Sequence, residues 1–281
     1  MSDSLLTDQA APDAAPTPPL HAVTTGITLI TGASGGIGLE LAKLFAADGA
    51  RLVLVARDEA RLRAATAMLP APAVGPHIPI AIDLARPGAA RDLAARIGRD
   101  GLTVDTLVNN AGFATYGALV ETDPDETTAM LMTNVLALTE LTAGILPGMV
   151  ARGRGRVLNV ASTAAFLPGP RMAAYYASKA YVLSFSEAIA EEVAGSGVTV
   201  TALCPGPTRT GFADRSGAHR SRAFQGGLAT PGAVARAGYA GMRRGTRVVV
   251  PGVTNRLAVA SVRLVPRRLL TRLVSLIQPP A

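Results

Sequence analysis

The chain has no tryptophan, one cysteine and three histidines, and only two of its 27 basic side chains are lysines. A single cysteine cannot close an internal disulfide, and Cys204 lies in the apolar run VTVTALC, which reads as a buried structural thiol rather than a nucleophile. His21, His77 and His219 are scattered without metal-ligand spacing, so no metal site is expected. No stretch reaches about 18 consecutive apolar residues. The first twenty residues carry Asp3, Asp8 and Asp13 with several prolines, where a leader would have a basic start and an apolar segment. The expectation is a cytoplasmic protein without signal peptide or transmembrane span. Acidic residues are also missing from one end: none follows Asp214, whereas 12 arginines do. Residues 215–281 therefore carry +12, and the remainder 15 − 20 = −5. That end reads either as a solvated arginine-rich face or as a binding face for an acidic carrier or a membrane surface. No nucleic-acid partner is expected.

What is present is a regular alternation. Residues 1–24 are rich in Ala, Pro, Thr and Asp without periodicity and read as a disordered tail. Apolar runs then recur at 27–31, 51–56, 77–82, 104–109, 155–162, 198–204 and 246–251, separated by helix-length segments at 36–49, 58–69, 87–99, 124–151, 172–195 and 231–244. Strands buried on both faces and spaced by helices imply one α/β domain over 25–252, a doubly wound seven-stranded parallel sheet with helices on both faces. Two segments fall outside the alternation: a loop insert at about 208–230, long enough for a lid, and a basic and apolar helical extension over 253–281. The extension could lie on a membrane surface, cover the active site or pack at a subunit interface.

The first strand runs into TGASGGIG, residues 31–38. Glycines there permit a tight turn and close approach of backbone to a pyrophosphate, which the free N–H groups of the following helix attract. Gly32, Ser34, Gly35, Gly36, Ile37 and Gly38 are thus candidate cofactor-binding residues. At the end of the second strand, VLVARDEARL puts Ala56 where an NAD-binding carboxylate is expected, with Arg57 next. A guanidinium matches a 2′-phosphate, so NADP(H) is read as preferred over NAD(H). Asp58 and Glu59 fall in a first helical turn.

In YYASK, residues 175–179, Tyr175 and Lys179 form an i, i+4 pair on one helical face. Tyr176, three residues from Lys179, is only modestly less well placed. A phenol of pKa about 10 needs roughly 2.7 kcal/mol of preferential phenolate stabilisation to drop two units. An ammonium about 4 to 5 Å away supplies about 3 to 4 kcal/mol at an effective dielectric near 20.

These motifs, together with Asp83 in AIDLA, NNAG at 109–112, Asn134 in LMTNVLAL, Ser162 in NVAS and PGPTRT at 205–210, closely resemble the classical short-chain dehydrogenase/reductase family over residues 26–251. The resemblance implies a Rossmann-type fold and selects Tyr175 as the acid, with Ser162 holding the substrate oxygen. Lys179 then perturbs the phenol and binds the nicotinamide ribose, and Asn134 kinks its helix to hold a relay water. It implies an adenine contact for Asp83. Asn109, Ala111 and Gly112 would line the adenosine side, Asn109 alternatively serving as a structural cap. Pro205, Gly206 and Thr208 or Thr210 would meet the carboxamide. The expected protein is an NADP(H)-dependent reductase of a small hydrophobic carbonyl compound, working as a homo-oligomer. An NAD-dependent alcohol dehydrogenase and a non-catalytic nucleotide sensor are the alternatives.

Overall fold

A computed structural model describes residues 26–217, 221–262 and 264–278. The tail expected over 1–24, together with His21 and His219, lies outside the described residues. Seven strands, β1 (Ile27–Thr31), β2 (Arg51–Ala56), β3 (Ile78–Ala81), β4 (Val104–Asn109), β5 (Gly155–Val160), β6 (Val198–Leu203) and β7 (Val248–Val249), form one parallel sheet in the order β3-β2-β1-β4-β5-β6-β7. The order reverses between β1 and β4. A crevice opens there at the carboxyl ends of the strands, the place where open α/β sheets receive nucleotides.

The helices between the strands are α1 (Gly36–Ala47), α2 (Glu59–Ala67), α3 (Ala89–Arg99), α4 (Pro124–Leu131), α5 (Leu138–Ala151), α6 (Ala173–Glu192), α7 (Phe212–Ser216) and α8 (Pro231–Arg243). Successive side chains of a strand point to opposite faces, and here both faces are covered. Leu29, Val53, Val55, Leu107, Val157 and Val200 pack with residues of α3, α5 and α6. Ile30, Leu52, Leu54, Val108, Leu158 and Leu203 pack with residues of α1, α2 and α8. This two-sided burial explains the nearly continuous apolar strand sequences.

The helix predicted over 124–151 is interrupted. Residues Met132–Ala137 form a π-helical turn between α4 and α5. The stretch Pro124–Ala151 is long and apolar enough to cross a bilayer, yet its Leu141, Ile145 and Met149 belong to the core beneath the sheet. His77 is a structural side chain: its Nδ1 accepts from the Leu52 amide at 3.2 Å and its Nε2 meets the Pro70 carbonyl at 2.9 Å. Two further helices, α9 (Val253–Val262) and α10 (Arg267–Ile277), follow the last strand. Within α10, Leu270 and Val274 are buried, as is Gln278 just beyond it, an i, i+4 spacing that presents one face of the helix inward.

Candidate active site

A cavity of about 610 Å³ stands over the carboxyl ends of the central strands. Its walls are the loops after β1, β4, β5 and β6, the first turns of α6, the insert at Thr208–Phe212, and inward-facing residues of α9 and α10. Residues of the C-terminal extension line this cavity, so one side of the extension covers the site.

At the nucleotide end the loops after β1 and β4 are tied together. The Thr31 hydroxyl accepts from the amides of Asn110 and Ala111, both at 3.0 Å, while Asn110 Nδ2 donates to the carbonyls of Thr31 at 2.9 Å and Gly32 at 3.1 Å. A Cβ on Gly38 would collide with the Gly32 carbonyl and Asn110 Nδ2, so the loop can press onto α1 only with glycine at 38. Gly32 itself has a φ of 68°, a conformation that suits glycine. No side chain caps α1, whose N-cap is Gly35. Its first-turn N–H groups are therefore free to meet an anion, and this bare, glycine-lined cradle fits a dinucleotide pyrophosphate. Gly32, Ser34, Gly35, Gly36, Ile37, Ala111, Gly112, Pro205, Gly206, Thr208 and Thr210 all line the cavity, with Gly38 packed beneath.

Three nominated residues stand elsewhere. Asn109 is buried below the site, donating to Thr142 Oγ1 at 3.0 Å and Asn159 Oδ1 at 2.9 Å, and Asn159 in turn donates to Ser186 at 2.9 Å. It braces β4, β5, α5 and α6, and the neighbouring Asn110 is the one that reaches the nucleotide loop. Strand alternation accounts for this, since adjacent asparagines face opposite sides. Arg57 and Asp83 are exposed and outside the cavity wall, and the Asp83 carboxylate accepts from the Ala85 amide at 3.0 Å. Arg61, one helical turn after Arg57, does line the cavity, with Nη2 approaching Gly35. Sequence reading missed it, although an arginine at i+4 after Arg57 on a helix starting at Glu59 was the available signal. The neighbouring acids are occupied: Asp58 caps α2 by accepting from the Arg61 amide at 2.9 Å, and Glu59 pairs with Arg63 at 2.7 Å.

At the other end of the cradle, Tyr175 and Lys179 lie on one face of α6, with Lys179 Nζ 5.9 Å from the phenol ring centroid. The Ser162 hydroxyl faces the same pocket as the phenol, accepts from the Ala164 amide at 3.1 Å and stands 3.4 Å from the Pro205 carbonyl. Lys179 donates to the Val160 carbonyl at 2.8 Å. Asn134 sits buried in the π-helical turn. It donates to the Phe113 carbonyl at 2.9 Å and to Ser178 Oγ at 3.1 Å, and accepts from the Phe113 amide at 3.1 Å. The extra residue of a π turn is what swings this asparagine onto the loop after β4. Tyr176 also lines the cavity, and its hydroxyl accepts from Gln278 Nε2 at 2.7 Å. Its hydroxyl is thus tied to the C-terminal segment while its ring stands edge-on to Tyr175.

A model of short chain dehydrogenases matches residues 26–221. The chain belongs to the short-chain dehydrogenase family. It is 37% identical over 193 residues to dehydrogenase/reductase SDR family member 7B of Bos taurus, an alignment covering 67% of this chain and 59% of the bovine one. The chain thus spans less than two thirds of that relative. With the ketoacyl reductase HetN of a Nostoc species it shares 33% identity over 228 residues, covering 80% of this chain and 78% of that protein. A short-chain dehydrogenase from Sphingobium yanoikuyae, solved in complex with NADPH, superposes with a TM-score of 0.74 at 32% identity, covering 85% of this chain and 94% of the other.

The electrostatics of this short-chain dehydrogenase correct one expectation. The lysine was expected to pull the tyrosine below its ordinary value, but burial pushes the Tyr175 phenol well above it, against the opposing influence of the Ser162 hydroxyl. Burial also brings Lys179 down to about 8. Desolvation disfavours both charged forms, a cost that a pairwise Coulomb sum leaves out. Cys204, fully buried beside them, is pushed up to about 12 by the same burial, the property of an inert structural thiol.

Proposed function

We propose that the protein reduces an apolar carbonyl compound to the alcohol with NADPH. The reading is carried by one observation: a single cavity joins the uncapped glycine loop, the Tyr175, Ser162 and Lys179 side chains, and an apolar wall contributed by the insert and the C-terminal helices. When bound, the nicotinamide supplies the hydride. Tyr175, a phenol already protonated at neutral pH and held more firmly so by its burial, gives its proton to the developing alkoxide. Ser162 orients that oxygen and stabilises its growing charge. The phenolate left behind faces the Lys179 ammonium, worth about 3 kcal/mol at 5 Å and an effective dielectric of 20. Asn134 acts one step away, by fixing the loop after β4 and the first turns of α6.

The cofactor preference is supported by charge. Among the described residues near the end of β2, Asp58 and Glu59 are engaged as a cap and an ion pair, leaving Arg57 and Arg61 to meet a 2′-phosphate. The NADPH complex of the Sphingobium protein agrees with that choice. Phe212, Phe224, Val259, Val262, Leu270 and Val274 on the cavity wall favour a substrate with a long or bulky apolar body, and 3-oxoacyl thioesters are consistent with the ketoacyl reductase relative. The test is NADPH oxidation over bulky ketones, aldehydes and 3-oxoacyl thioesters, with NADH in parallel. Turnover with NADPH on apolar substrates is expected. Consumption of neither cofactor across the series would refute the reading, and equal use of both would refute the preference.

A further inference from the structure

We infer that the outer face of α9 and α10 is a docking surface for an anionic lipid bilayer. The inner face of α10 is spent on the cavity, through Leu270, Val274 and Gln278. The outer side still presents large aliphatic side chains: Leu257 is 67% exposed, Leu264 86%, Leu269 50% and Leu276 66%. Interleaved with them are Arg256, Arg267, Arg268 and Arg272, all exposed. Among the described residues none of these four arginines forms an ion pair, and no acidic residue occurs after Asp214. Folding alone explains neither the exposed leucines nor the unneutralised charge.

The candidate occupants differ in what they satisfy. A nucleic acid or an acidic protein would pair the arginines but leave the leucines in water. A second copy of this face would bury leucines while stacking like charges. An interface with anionic headgroups above acyl chains accommodates both, since helices carrying basic and apolar side chains lie in that boundary. The cavity's position adds to this. Leu273 and Ile277 line it yet remain 45% and 44% exposed, so its mouth opens beside the same face. Docking would bring that mouth to the bilayer, where apolar molecules partition. The inference rests on the surface and not on the redox reading, so either can fail without the other.

The test is co-sedimentation of the full chain with phosphatidylcholine vesicles, with and without phosphatidylserine, across a salt series. Binding is expected only with phosphatidylserine and should weaken as salt rises. Each arginine at such a surface contributes roughly fivefold, so R267Q/R268Q/R272Q should bind on the order of a hundredfold more weakly. L257S/L264S/L269S/L276S should lose binding even at low salt. The arginine set lies on solvated side chains and is expected to keep NADPH affinity, which separates loss of docking from loss of folding. The inference is overturned by no binding to phosphatidylserine vesicles, by equal binding to phosphatidylcholine alone, or by arginine and leucine variants that bind as the wild type does. A leucine variant that breaks a dimer while vesicle binding persists would assign the face to a second copy and overturn it too.

Discussion

Lys179 should make stability and catalysis respond to pH in opposite directions. Its amine falls from an ordinary value near 10.5 in the unfolded chain to about 8 in the folded protein, because burial penalises the ammonium. A lowered folded value means that the unfolded state binds more protons between about pH 8 and pH 10.5, so stability rises with pH across that window. Between pH 7 and pH 9 the two titrations together raise the unfolding free energy by about 1 kcal/mol. Cys204, raised to about 12, acts in the reverse sense as an exposed thiol ionises near pH 9, a contribution common to two proteins that both keep the thiol. Urea denaturation of wild type and Lys179→Met at pH 7, 8 and 9 isolates the contribution: the stability difference between the two proteins should change by about 1 kcal/mol over the range. Over the same interval the reductive rate of the wild type should fall, approaching tenfold per pH unit above about 8, as the ammonium that stabilises the phenolate is lost. Parallel stability curves for the two proteins, or a reductive rate flat to pH 10, would refute the reasoning that burial and not the tyrosine governs this amine.

Three further outcomes follow from the geometry. Asn134→Ala strands the amide and carbonyl of Phe113 and should cost about 3 kcal/mol in chemical denaturation, because buried unpaired polar groups carry their full desolvation cost; a loss below about 1 kcal/mol would show that water replaces the side chain without penalty. Arg61→Ala with Arg57→Ala should weaken NADPH about tenfold or more in a direct binding titration and leave NADH unchanged; equal weakening of both would move these guanidinium groups from the 2′-phosphate to the shared pyrophosphate. Gln278→Ala and Tyr176→Phe each remove the tie between α6 and the C-terminal segment. Both should raise KM for long apolar substrates several-fold while sparing small ketones, since a lone hydrogen bond contributes about 1 kcal/mol. A collapse of kcat in Tyr176→Phe would instead place that phenol in the chemistry.

The strands and the glycine loop were readable in advance because their causes are local. Parallel strands buried on both faces must be apolar at nearly every position, and a loop pressed onto a helix start must have glycine at 38. Less visible were features set by partners far along the chain. Nothing near Tyr176 announces Gln278, 102 residues later. The amphipathic spacing of α10 states that Leu270 and Val274 are buried but not that a cavity lies beneath them. Whether Asn109 lines the nucleotide site or braces the sheet turned on strand parity at the last residue of β4, where element boundaries are least defined. Arg61 replaced Arg57 at the cavity because one helical turn carries the side chain back over the glycine loop. The tyrosine and lysine pair was legible as a pair, while the direction of its titration was not, because burial is a property of the packed fold.

The central claim is that Tyr175 delivers the proton in NADPH-dependent reduction of an apolar carbonyl. Its most direct test is Tyr175→Phe, assayed for NADPH oxidation with the best apolar substrate of the wild type and, separately, for NADPH affinity. The predicted result is a loss of turnover of about a thousandfold or more, within the range for removing a general acid and its oxygen contact, with NADPH binding within a few-fold of wild type. Retention of most activity by Tyr175→Phe would contradict the account.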